Sequence, residues 1–140
     1  MPLTDLVIAS KQEAQDIADS NYPLEKWTGI DTRGIDIVPY SVLYCLLTKK
    51  DWQPEILDEF PLISEETAEG PRVASFPEKL KAILASLTDN ELNEISLAWA
   101  ETDELSGIES GAIKDLLDEI RTLAKKADSS NKDILLWMSL

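Results

Sequence analysis

Ile113, Leu116, Leu117, Ile120, Leu123 and Ala124 recur at spacings of three and four, which lays them along one stripe of an α-helix. No other feature constrains the fold as tightly. A helix this one-sided holds its shape by pressing that stripe against other elements, so the chain must supply a core for it. Ser106 with Glu109 has the spacing of a capping box at the start of this helix. Residues 129–132 then read as a turn and residues 134–140 as an apolar strand.

A second apolar run lies at the other end. Residues 4–9, with Leu6, Val7 and Ile8 in succession, predict a short buried strand, and Ser10 with Glu13 opens a helix over residues 11–18. Residues 20–36 read as a loop from their Asn, Pro and Gly content. Asp36 is placed to cap a helix over residues 37–49, whose apolar residues surround the axis and mark it as central and buried. A shorter helix over residues 54–60 follows. Leu62-Ile63 and residues 72–76 are expected to form a β-hairpin around an acidic loop at residues 65–70. Helices over residues 78–87 and from Thr88 to about Glu101 follow, the latter opened by the capping-box pair Thr88 and Glu91.

The expected fold is therefore α+β: a mainly helical single domain over residues 1–140, with a small, mostly antiparallel sheet formed by the terminal strands and a central hairpin. If the strand at residues 134–140 is central, it ties the C-terminus into the core. If it lies on an edge, Leu135, Leu136 and Trp137 invite a second copy to pair there, which makes a homo-oligomer possible. The longest apolar stretch, residues 37–47, is interrupted by Pro39 and is too short to span a bilayer. No basic, apolar export signal opens the sequence, so a cytoplasmic protein without membrane contact is expected.

The chain has no histidine and one cysteine. Ser-His-Asp and Cys-His catalysis are thereby excluded, and zinc loses its commonest nitrogen ligand. No glycine-rich phosphate loop is present either, and no cofactor is implied. Cys45, among Tyr44, Leu46 and Leu47, reads as a core thiol. Ser106 and Ser110, beside Gly107 and Gly111, weakly suggest a nucleophile turn, but helix capping explains Ser106. These features argue against an enzyme.

Charge is the stronger signal. Twenty-seven acids against thirteen bases give a net charge of −14, and residues 51–104 alone hold fourteen acids and three bases. Such a surface attracts basic proteins and repels phosphate backbones, so direct nucleic-acid binding is not expected. The leading expectation is a non-enzymatic inhibitor-, antitoxin- or immunity-like domain engaging a basic protein partner. Glu55, Asp58, Glu59, Glu65, Glu66, Glu69, Glu101, Asp103 and Glu104 would supply its binding electrostatics. The bland alternative is that the acidity only keeps the protein in solution. A second functional reading is a small-ligand or divalent-metal-binding domain, extending to a metal-dependent enzyme, with the ligand on Trp27, Asp31, Arg33 and Asp36 in the 27–36 loop or the metal on clustered carboxylates such as Asp115, Asp118 and Glu119.

Overall fold

The computed structural model describes residues 3–65 and 70–139. Its spine is an antiparallel sheet in the order β2-β1-β4-β3. Strand β1 (Leu3–Ala9) pairs along its whole length with β4 (Asp133–Ser139), from Leu3 opposite Ser139 to Ala9 opposite Asp133. Strand β3 (Arg72–Ser75) flanks β4 on one side, and β2 (Gly29–Asp31) flanks β1 on the other.

Both faces of this sheet are covered, which explains why β1 and β4 carry continuous apolar runs rather than alternating ones. On one face Leu6, Ile8, Ile134 and Leu136 join the main core. Four helices supply the rest of that layer: α2 (Ile37–Thr48), α3 (Glu78–Ala85), α4 (Asp89–Ala100) and α5 (Ser110–Ser129). On the other face Val7, Ala9, Val73, Leu135 and Trp137 pack against Ala14, Ile17 and Ala18 of the short helix α1 (Ala14–Ala18). The α+β expectation holds, with every strand pair antiparallel.

The apolar stripe of α5 is buried in full. Helix α2 is buried over Pro39–Cys45, and its neighbours form an aromatic chain. Tyr40 stacks near Phe76 and Trp99, Phe76 meets Phe60 edge-on, and Phe60 meets Tyr44. The Trp99 indole N–H donates to the Pro39 carbonyl at 2.9 Å, a carbonyl near the first turn of α2. Trp52 is fastened to the same helix, its Nε1 donating to Ser41 Oγ at 2.9 Å. These tryptophans are largely structural anchors.

Four local expectations are corrected. The loop over residues 20–36 contains strand β2, because Gly29 lies so close to β1 that a Cβ there would collide with the Leu6 carbonyl. The expected hairpin is reduced to a single bridge, Leu62 opposite Ala74, with Ile63 N–H donating to the Val73 carbonyl. Residues 54–59 wind as a 3₁₀ helix (Pro54–Glu59) rather than an α-helix. Ser106 does not cap α5, since the helix begins at Ser110 after Glu109, and Ser106 instead ends the 3₁₀ turn Asp103–Leu105.

Strand β4 is central, so Leu135, Leu136 and Trp137 offer no free edge to a second copy. Among the described residues, no helix is long and apolar enough to cross a membrane.

Thr88 makes the contact that Ser106 lacks. Its Oγ1 accepts from the Glu91 backbone N–H at 3.2 Å, while Glu91 Oε1 accepts from the Thr88 N–H at 3.0 Å. Thr88→Ala is therefore expected to lower unfolding free energy by about 1 kcal/mol. Ser106→Ala should stay within about 0.5 kcal/mol of wild type. Urea unfolding of the two variants checks this, and equal losses would restore Ser106 as a cap.

Candidate functional site

Strand alternation sets the chemistry at the sheet's open end. One cross-sheet row, Arg72, Met138 and Thr4, faces the main core. The next row, Val73, Trp137, Asp5 and Asp31, faces the α1 side. Asp5 and Asp31 are thus direct cross-strand neighbours with the same charge, an arrangement that destabilises a sheet.

They share a cleft of about 320 Å³ with Tyr22, Leu24, Glu25 and Trp137. Among the described residues, no Lys or Arg lines it. Burial, reinforced by the Asp31 carboxylate, pushes the Asp5 carboxyl up to about 6. In a chain without histidine, this gives a side chain that changes charge close to neutrality. The Trp137 side chain is almost wholly buried, and its Nε1 has no hydrogen-bond partner.

The turn after β2 holds Asp31 in place. Asp31 Oδ1 accepts from the Arg33 N–H at 2.8 Å, in an Asx turn where Arg33 (φ 57°) and Gly34 (φ 86°) take left-handed conformations. Behind it, the buried hydroxyls of Thr4 and Thr32 lie 2.6 Å apart, and the Gly34 N–H donates to Thr4 Oγ1 at 3.0 Å. The turn is therefore tied to β1 by side chains as well as by backbone.

The proposed loop site of Trp27, Asp31, Arg33 and Asp36 is not assembled. Trp27 packs on the α1 side and donates from Nε1 to Glu13 Oε1 at 3.4 Å. Arg33 is exposed on the turn, and Asp36 is exposed just before α2. Of the four, Asp31 alone lines the cleft. Asp5 was not foreseen as a site residue. The available signal was Asp5 itself, a carboxylate inside an otherwise apolar strand.

The acidic residues of the 51–104 region fall into separate places. Glu55, Asp58 and Glu59 are exposed on the Pro54–Glu59 3₁₀ helix, and Asp103 and Glu104 are exposed on the Asp103–Leu105 turn. Both elements pack on α2, and exposed Glu101 ends α4, which packs there too. Glu65 stands by α1, its backbone N–H donating to Gln15 Oε1 at 2.8 Å. Glu66 and Glu69 lie outside the described residues. None of the seven described members forms an ion pair with a described residue.

Among the described residues, no three Asp, Glu or Cys side chains gather closely enough to hold a metal ion. Asp118 of the Asp115, Asp118 and Glu119 group is instead paired with Arg121 at 2.8 Å. Cys45 is buried, and burial together with Glu59 pushes its thiol up, away from the reactive thiolate. Nothing among protein-family models, curated proteins or solved structures matches the chain.

Because folded Asp5 keeps its proton to higher pH than the unfolded chain does, the native state binds more protons between about pH 4 and 6. Its contribution to stability therefore falls as pH rises through that window. Asp31→Asn keeps the acceptor for Arg33 and removes the repulsion. After allowance for solvent screening, it should raise stability at neutral pH by about 0.5–1 kcal/mol and flatten the slope between acid and neutral pH. Urea unfolding across that range measures both effects, and an unchanged slope would show that Asp31 does not act on Asp5.

Proposed function

We propose that this protein is a non-enzymatic binding domain that engages a basic protein partner, in the manner of an inhibitor, antitoxin or immunity protein. One observation carries the reading: Asp5 and Asp31 oppose each other in a cleft lined also by Glu25 and, among the described residues, by no basic side chain. Charge that merely keeps a protein in solution sits fully in water and costs little. Here a partly buried carboxylate faces another of like sign, which lowers folding stability, and a cation supplied from outside relieves both burial and repulsion.

The cleft suits a lysine or arginine side chain. Its charged head meets Asp5, Asp31 and Glu25, while its alkyl stem lies along the exposed Leu24 and Tyr22 side chains. Tyr22 and Leu24 are exposed, at 68% and 39%, and so are open to contact. The exposed acids around α2 play a different part, extending a negative field that speeds encounter without fixing the docked pose.

Two kinds of variant separate these parts. Wild-type protein used as bait in extract of its native host should retain a basic protein that elutes as salt is raised. The Asp5→Asn/Asp31→Asn double variant should lose that partner through faster dissociation, by about tenfold or more. Neutralising Glu55, Asp58 and Glu59 to amides should mainly slow association and reduce its salt dependence. A partner whose association rate ignores ionic strength, or which binds the double variant as it binds wild type, would overturn the proposal.

A further inference from the structure

On the opposite face of the same sheet end, between the Pro54–Glu59 3₁₀ helix, the start of α2 and the ends of β3 and β4, lies a cavity of about 560 Å³. Its walls are mainly apolar, with Leu57, Phe60, Leu62 and Met138 among them, and its charged groups among the described residues are Arg72 and Asp58. The volume falls within the range of roughly 300–1,000 Å³ usual for small-molecule sites.

Arg72 is the anomaly. Its Nε is buried without a hydrogen-bond partner, and no described carboxylate lies within ion-pair distance of its guanidinium, Asp58 included. The other inward-lying cations are satisfied. Lys81 sits 2.9 Å from Glu78 and donates to the Lys132 carbonyl at 2.8 Å. Arg121 is held between Asp89 at 2.9 Å and Asp118 at 2.8 Å while also donating to the Leu87 carbonyl. A half-buried arginine beside an apolar cavity, with no carboxylate partner among the described residues, is an anion site left open.

We propose that this cavity binds a small apolar monocarboxylate, with the carboxylate on Arg72 and the hydrocarbon body against Leu57, Phe60, Leu62 and Met138. Asp58 sets the charge limit. As an exposed carboxylate lining the same cavity, it repels a second negative charge on the ligand, so monoanions are preferred to dianions. The site is distinct from the Asp5 cleft, and neither depends on the other.

Titration calorimetry with octanoate tests this, with octanol, octylamine and suberate as controls of matched length. Octanoate should bind at one site, about tenfold more tightly than octanol or suberate, and octylamine should not bind. Arg72→Gln should reduce octanoate to the level of octanol, and Asp58→Asn should narrow the gap between octanoate and suberate. Octanoate binding no better than octanol, or binding Arg72→Gln as well as wild type, would overturn the proposal. Should Arg72→Gln fail to fold by circular dichroism, the four-ligand comparison on wild-type protein decides alone.

Discussion

The pairing of β1 with β4 is the contact on which the rest of the molecule depends. It joins the two ends of the chain through seven consecutive residue pairs, so nearly the whole sequence must be collected before it closes. Loop closure on that scale is slow and entropically unfavourable, and it is offset by burial on both faces at once. Leu6, Val7, Leu135 and Leu136 are each fully shielded from water, two of them toward the four-helix layer and two toward α1. Helix α5 immediately precedes β4, and its buried stripe holds that strand against the sheet.

The chain's unusual chemistry collects toward one end of this sheet. Thr4, Asp5, Asp31 and Arg72 all lie in two adjacent cross-strand rows, just inside the terminal Leu3–Ser139 pair. Thr4 is satisfied by Thr32 and Gly34. Among the described residues, the Asp5 carboxyl and Arg72 Nε have no hydrogen-bond or ion-pair partner, and both residues border clefts. The two binding proposals thus share one structural origin, a sheet sealed along most of its length and open at one end.

Where sequence was legible, it was because a residue's burial followed from its own neighbours. The α5 stripe, the run at Leu6 to Ala9 and the Thr88 capping box each announce themselves within a few positions. What escaped was set by distant partners. Residues 29–31 carry no strand signature, and they are a strand because Gly29 fits against the Leu6 carbonyl. The same applies to Asp5 and Asp31, twenty-six positions apart, whose opposition exists only once β2 is paired. Ser106 and Glu109 matched a capping box by spacing alone, but the chain turns through left-handed Gly107 (φ 88°), is extended at Glu109, and begins the helix only after it.

The sheet's register also explains why the unpaired cation and the unpaired anions do not neutralise each other. Asp5 opposes Trp137 and Arg72 opposes Met138, so adjacent β4 positions send them to opposite faces. Sliding β3 by one residue would bring Arg72 to the face of Asp5. It would also turn Val73 out of the α1-side core and exchange the faces of Ala74 and Ser75. Removing a fully buried valine from the core it packs in costs about 1.5 kcal/mol or more, and Ser75, already buried on the α1 side, would have to repack against the helical layer. A partly exposed ion pair returns about 0–1 kcal/mol. Packing therefore decides the register, leaving two charges of opposite sign separated by the thickness of one sheet and each available to a molecule from outside.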